Sequence, residues 1–375
     1  MTKHAKLSAS SSARWLACPP SVKLSAGFPD KESTYALEGT DAHELCEYLL
    51  RKALGEAPAD PTENLTFYNA EMQSAAEGYA AFVMEHVAEA RRKCKDAKVM
   101  VEQRLDYSDF VPEGFGTGDC VILSDGKLFI IDFKYGLGVL VSADHNSQMM
   151  CYALGALQMF GALYDIASVS LSIYQPRRQN ISTFEISKDD LLAWGKKVLK
   201  PTAELAMKGE GEFKAGPHCR FCKAKAVCRK RAEYNLEMAR YDFKMPDVLG
   251  DDEIAAVLQR ADELADWAEE IKRYALKKAI GGTAYAGFKV VEGRSVRKYT
   301  SEADVVKAVI AEGLNPYEKK VLGITAMTAL LGKKRFKEIL GNLIYKPPGK
   351  PVLVPESDPR SVWNNANDDF KEEKQ

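Results

Sequence analysis

The sequence predicts an α/β fold: a central sheet flanked by helices, followed by a mainly helical C-terminal extension. Three observations carry this. Asp125-Gly126 sits between two β-branched and apolar runs, the strongest short hairpin signal a chain offers, because both central residues of the expected type I′ turn need positive φ. An amphipathic helical pattern follows at Met149 to Phe160, and then Ala167 to Tyr174 reads as a further strand that stops at Gln175-Pro176-Arg177-Arg178. Strands, helix, strand in that order suit an α/β sandwich rather than a doubly wound nucleotide fold.

In chain order, residues 1–60 read as a loop and helices, with Ser8 to Ser12 a polar lead-in and Thr40 or Asp41 capping a helix that carries His43, Leu45, Leu49 and Leu50. Ala59 to Asn64 is a breaker stretch. Glu71 to Lys95 is a long helix whose apolar positions Ala75, Tyr79, Phe82, Val83 and Val87 fall near helical spacing. Strands are expected at about 98–105, 119–124 and 127–134, and a helix at Leu191 to Met207. Further on, Asp251 to Ile280 is a helix with the stripe Ile254, Leu258, Leu264, Trp267, Ile271 and Tyr274, stopped by Gly281-Gly282. Phe288 to Tyr299 reads as a hairpin around Glu292-Gly293, Ser301 to Asp304 as a capping box, and Ala326 to Ile344 as one or two helices. An extended tail begins at Lys346. The expected division is residues 1–235 as the core, 236–362 as a mainly helical accessory region, and 363–375 as a disordered tail.

Composition bounds the possibilities. At 375 residues, 46% hydrophobic and 28% charged, the chain can bury a full core. No apolar run is long enough to span a bilayer, and residues 1–25 lack an apolar signal core, so a cytoplasmic protein with reduced thiols is expected. A net charge of −1 argues against a coating protein of histone type, yet leaves room for local basic patches such as Arg177-Arg178, Arg220 to Arg231, Arg294 to Lys298 and Lys333 to Lys337.

Folding the chain about Asp125-Gly126 pairs Ser124 with Lys127 and, step by step, Asp119 with Asp132. Like charges directly opposite destabilise a sheet, so the pair needs a cation or an open rim. Because side chains alternate, Asp132 and Lys134 point one way and Phe133 the other. Two acids and an amine on one patch suit a divalent ion such as Mg²⁺ and a phosphate; an ordinary hairpin with solvated charges is the alternative. Gln148 and Tyr152, four apart, share a helix face and can reach one substrate strand or orient the lysine, or merely face water. A neutral imidazole from His43 would bias an oxygen-rich site toward Mn²⁺. His43-Glu44-Leu45-Cys46-Glu47 is no zinc-protease helix, since the second histidine is missing.

Eight cysteines fall into two sets. Cys46, Cys94, Cys120 and Cys151 lie in apolar contexts where a free thiol acts as a small hydrophobe. Cys219-Arg220-Phe221-Cys222 and Cys228 form a tight basic loop in which lowered thiol pKa values and a soft metal centre are expected, with a fourth ligand from elsewhere. Spacing alone leaves a [4Fe–4S] cluster and structural Zn²⁺ level, and His218 is a candidate zinc ligand.

The order Asp119, then Asp132-Phe133-Lys134, resembles the core of the PD-(D/E)xK nuclease superfamily in its RecB-like branch. Glu102 matches the acid on the preceding strand, Gln148 and Tyr152 the Gln-x-x-x-Tyr helix, and His43 the helical histidine; the likeness runs from about Ser8 to Ala232. It implies a mixed central sheet, Asp119, Asp132, His43 and the Phe133 carbonyl as ligands of Mg²⁺ or Mn²⁺, and Lys134 orienting the attacking water. Gln148 and Tyr152 would position the strand, and Glu102 would be a ligand or base. The cysteines resemble those of the iron–sulfur nucleases of AddB and CRISPR-adaptation type, with Cys18 joining Cys219, Cys222 and Cys228 around a structural [4Fe–4S] cluster. The implied activity is a deoxyribonuclease, an exonuclease acting on DNA ends or single strands, with Arg177, Arg178, Arg220 and Lys223 as weak DNA contacts. A non-catalytic DNA-binding or assembly module with the same fold is the alternative. The tail from Lys350 to Asp358 resembles a phage and prophage family long catalogued as a domain of unknown function, which implies phage DNA recombination, partner recombination proteins and a bacterial host cytoplasm.

Overall fold

A computed structural model gives the fold over residues 5–29, 34–237, 250–291, 301–317 and 321–345. It divides into two compact units, Met1–Lys277 and Lys278–Gln375. The long helix expected at Asp251 to Ile280 thus falls largely in the first unit, whereas the sequence reading begins an accessory region at 236. Of the expected hairpin at Phe288 to Tyr299, residues 288–291 are irregular and the rest lie outside the described residues, as does the tail from Lys346.

The first unit opens with α1 (Ser12–Ala17) and α2 (Ser21–Ser25), then α3 (Thr34–Ala53) and α4 (Ala70–Lys93). Three strands follow, β1 (Lys98–Asp106), β2 (Phe115–Ser124) and β3 (Gly126–Phe133), then α5 (Ser147–Phe160), β4 (Ile166–Gln175) and β5 (Asn180–Ser187). Next come α6 (Lys188–Trp194), a π-helical turn at Gly195–Leu199, α7 (Lys200–Lys208), α8 (Arg229–Leu236) and α9 (Asp251–Ile280). The second unit holds α10 (Glu302–Ala311), α11 (Ile324–Leu331) and α12 (Lys333–Leu340), and the Ser301 hydroxyl caps α10 by accepting from Asp304 N at 3.3 Å.

The sheet is mixed, in the order β1-β2-β3-β4-β5: antiparallel throughout except for the parallel β3–β4 pair, which α5 connects. Its two faces bury different layers, as strand alternation requires. Val121, Leu123, Leu128 and Ile130 pack with Leu7, Trp15 and the α5 residues Met149, Met150 and Leu154. Cys120, Ile122, Phe129, Ile131 and Phe133 pack with Leu45 and Leu50 of α3 and Met72, Tyr79 and Val83 of α4. Cys46, Cys94, Cys120 and Cys151 are buried in these layers as expected of small hydrophobes.

Three expectations need correction. Thr40 and Asp41 lie inside α3 and do not cap it, and the Thr40 hydroxyl donates back to Ala36 O at 3.1 Å. The Asp125-Gly126 turn is not type I′, because only Gly126 takes positive φ (+82°). Instead the turn is tied to the start of β4: Gly126 N donates to Asp165 O at 2.7 Å, and the Asp125 carboxylate accepts from Asp165 N at 3.0 Å. Those anchors do what a second left-handed residue would otherwise do. β5 was not foreseen. It is an edge strand in which Phe184 and Ile186 face the core while Ile181 is 58% exposed, and that exposed isoleucine blurs the two-residue alternation.

The Asn146 side chain starts α5 by accepting from Gln148 N at 3.1 Å and Met149 N at 3.3 Å. Replacing it by alanine orphans both donors, so Asn146→Ala should lower stability by about 1 kcal/mol while Asn146→Asp stays near wild type. Urea denaturation of the two variants side by side checks this.

Candidate active site

Strand register assembles the site. Val101 pairs with Cys120 and Gln103 with Gly118, which puts Glu102 of β1 across from Asp119 of β2. Cys120 pairs with Ile131, and one further step puts Asp132 of β3 across from Asp119 on its other side. Three carboxyl groups therefore sit on adjacent strands, where like charges repel. Glu102 has φ +50° within a strand, a left-handed backbone that L residues rarely adopt.

Each acid has its own partners. Asp119 Oδ2 accepts from Phe133 N at 2.7 Å and lies 3.5 Å from His43 Nδ1. The His43 ring meets Phe133 edge-on, with centroids 5.5 Å apart. Asp132 is buried, with Oδ2 2.9 Å from Lys134 Nζ and Oδ1 accepting from Gln148 Nε2 at 3.1 Å. Gln148 Oε1 accepts from Lys134 Nζ at 3.3 Å and its Nε2 also meets Tyr152 OH at 3.2 Å. Of the two roles foreseen for Gln148, orienting the lysine is the one this geometry serves. Gly116 admits the Tyr152 ring, since a Cβ there would stand 2.7 Å from it.

Electrostatics separate the acids. Burial pushes the Asp119 carboxyl up, but His43, Lys134 and the Phe133 N–H outweigh it and hold the group below its usual range. Asp132 goes the other way: burial, joined by the charge on Asp119, raises it despite Lys134. Glu102 is raised to about 7 by burial and by Asp119. Burial opposes a charged His43, yet Asp119 lifts it to about 9; Lys134 is likewise raised by Asp132 and Asp119 against burial. The site holds more acid than its cations neutralise. Among the described residues, His43, Glu102 and Asp119 form a group whose ligand atoms all lie within 4.8 Å of one another and could hold a metal ion. Asp132 stands outside that group, bound to Lys134 and Gln148. At Phe133 the contact is made by the N–H, through Asp119.

The other expected site residues divide. Arg177 turns inward, 2.9 Å from Glu38 Oε1 and 3.3 Å from Glu71 Oε1, with its guanidinium over the Tyr135 ring. Its charge is thus matched within the protein. Arg178 is exposed and reaches Leu137 O at 3.4 Å, while Arg220 and Lys223 are exposed in the cysteine loop. The acids Glu38 and Glu71 carried no signal in the sequence, since each sits on an ordinary helical surface.

Cys18, Cys219, Cys222 and Cys228 line one cavity, whose mouth-included volume is about 300 Å³, together with Ser21, His218, Lys225 and Arg231. Cys18 ends α1, Cys219 and Cys222 belong to the turn at Pro217–Phe221, and Cys228 caps α8. Ser25 Oγ lies 3.6 Å from Cys222 Sγ. The expected lowering of thiol pKa fails at Cys219: burial raises it and outweighs the Gly216 N–H and Arg231. Arg231 is buried and pairs with Glu270 of α9 at 2.5 Å, and Lys225 pairs with the same carboxylate. Glu270 was not foreseen, because it lies on what reads as the polar face of α9.

Glu102→Gly removes a left-handed strain and a half-buried acid together. It should stabilise the protein by about 1 kcal/mol in urea. Loss of stability would contradict this account of Glu102. Among the described residues no helix is long and apolar enough to cross a membrane. A solved structure described as "Crystal structure of SSO0001" is similar at 14% identity, over 52% of this chain and 98% of that one, with a TM-score of 0.22. A family model described as "Protein of unknown function (DUF2800)" matches residues 4–361, and the chain belongs to that family.

Proposed function

We propose that this protein is a divalent-metal-dependent deoxyribonuclease of the PD-(D/E)xK superfamily, RecB-like branch, that hydrolyses phosphodiester bonds at DNA ends or in single strands during phage-type DNA processing. The observation that carries the reading is the convergence, from four separate elements, of His43, Glu102, Asp119, Asp132 and Lys134 on one end of the β2–β3 hairpin, with Lys134 Nζ 2.9 Å from Asp132. A surplus of carboxylates and one imidazole fit Mg²⁺ or Mn²⁺.

His43, Glu102 and Asp119 would hold the ion, with Asp132 joining them as the family resemblance implies. When bound, a divalent ion supplies charge stabilisation to the phosphate and lowers the pKa of water. Asp119 stays ionised because the Phe133 N–H and His43 fix it. Lys134, kept protonated by Asp132 and aimed by Gln148, donates to the attacking water or to the developing phosphorane charge. Gln148 and Tyr152 hold Lys134 and Asp132 in place; Gln148 does so by spending both ends of its amide.

The four cysteines of the cavity would hold a [4Fe–4S] cluster that ties the N-terminal α1 to the segment after α7. Spacing leaves tetrahedral Zn²⁺ open, and the likeness to the iron–sulfur nucleases is what selects the cluster.

End-labelled DNA with Mg²⁺ or Mn²⁺ tests the chemistry. Asp132→Ala and Lys134→Ala should each cut at least about a hundredfold more slowly than wild type; undiminished cutting by either variant removes the site, and wild type inert on every DNA end and single strand favours a non-catalytic DNA-binding module. Anaerobically purified protein should contain about four iron atoms and absorb broadly near ~400 nm, with both lost in Cys222→Ser. Zinc without iron would end the cluster assignment.

A further inference from the structure

β3 and β4 are parallel, so their carboxyl ends lie side by side at the edge of the sheet that carries Asp132 and Lys134. Lys134 N donates to Tyr174 O at 2.9 Å, and the next residue of β4 is Gln175. Gln175 is 2% exposed, yet its amide serves mainly the loop that leaves the site. Nε2 donates to Gly136 O at 3.0 Å and Val139 O at 2.9 Å, and Oε1 accepts from Val141 N at 3.2 Å. Asn180 Nδ2 donates to Val141 O at 2.8 Å, and Arg178 Nη1 reaches Leu137 O. The backbone from 136 to 141 is therefore fixed by side chains from the end of β4 and the turn after it.

The side chains held out by this fixed backbone are apolar. Leu137, Val139 and Leu140 are 50%, 40% and 50% exposed, three aliphatic groups within four residues. Single exposed leucines need no account, but a cluster on a loop clamped by a buried glutamine is a surface shaped for contact. Leu137 stands three residues beyond Lys134, within about 11 Å of it along the chain. The exposed Arg178 adds a cation to the rim. A partner with flat apolar faces at short spacing from phosphates matches this combination, and unpaired bases of a nucleic acid strand have that form.

We propose that Leu137, Val139 and Leu140 form a wedge that inserts against the terminal base pair of a DNA duplex and splays it, so that one strand's backbone reaches Asp119, Asp132 and Lys134. This rests on the nuclease reading and adds the substrate feature the site selects: a duplex end opened by the protein itself. Gln175 is a positioning residue for the wedge, since its contacts set the loop backbone and leave the apolar side chains outward.

Two measurements on the full chain test this. The first uses a duplex with 2-aminopurine in its terminal pair and Ca²⁺ as the ion: wild type should raise the fluorescence by unstacking the base, and Leu137→Ser/Leu140→Ser should lose most of that rise. The second compares cutting of a fully paired end with cutting of the same end carrying three mismatched pairs. The ratio of paired-end to frayed-end rate should fall roughly tenfold in the double variant, and partly in Gln175→Ala, given stacking contacts of about 1–3 kcal/mol per base. An unchanged ratio with unchanged fluorescence overturns the wedge while leaving the nuclease intact, as does a wild type that cuts frayed ends and ignores paired ones. A wild type that cuts neither end overturns the nuclease reading and the wedge with it.

Discussion

Repulsion among carboxyl groups on neighbouring strands is the constraint around which the site is arranged. Glu102, Asp119 and Asp132 are set across from one another by a register that the apolar faces of the sheet dictate. Every further feature of the site answers that crowding. His43 and the Phe133 N–H sit on Asp119, Lys134 and Gln148 sit on Asp132, and Glu102 takes a strained backbone and a raised pKa. The crowding also brings His43, Glu102 and Asp119 to where they could hold a cation.

Much of this was legible in the sequence. Alternation along β2 and β3 and the Asp125-Gly126 turn were enough to place Asp119 opposite Asp132, and four-residue spacing was enough to put Gln148 and Tyr152 on one face. What could not be read depended on tertiary partners. The turn type changed because Asp165, forty residues on, supplies its anchors. Arg177 looked like a phosphate contact until Glu38 and Glu71 came from two other helices to neutralise it. Gln175 and Glu270 gave no local sign, since a glutamine at a strand end and a glutamate on a long helix are ordinary until burial makes them matter.

The cysteine cavity extends the same logic to the second centre. Cys18 and the Cys219 to Cys228 segment are about 200 residues apart, so any centre they share closes a long loop and offsets its entropy. Lys225 and Arg231 line the cavity while Glu270 of α9 pairs with both. Helix α9 is thereby fastened to the residues that surround the thiols. Removing one partner of the Arg231–Glu270 pair would leave the other charge buried and unpaired, which is costly.

The turn at Asp125 and Gly126 has a reach beyond its own residues. It lies at the opposite end of the β2–β3 hairpin from Asp119 and Asp132, six residues or about 20 Å away. A slip of one residue there would carry Asp132 and Lys134 together to the other face of the sheet, among Phe133's aromatic neighbours and away from Gln148. By clasping Asp165, the turn works as a gauge block: it fixes, from the far end of the hairpin, which side chains stand beside Asp119.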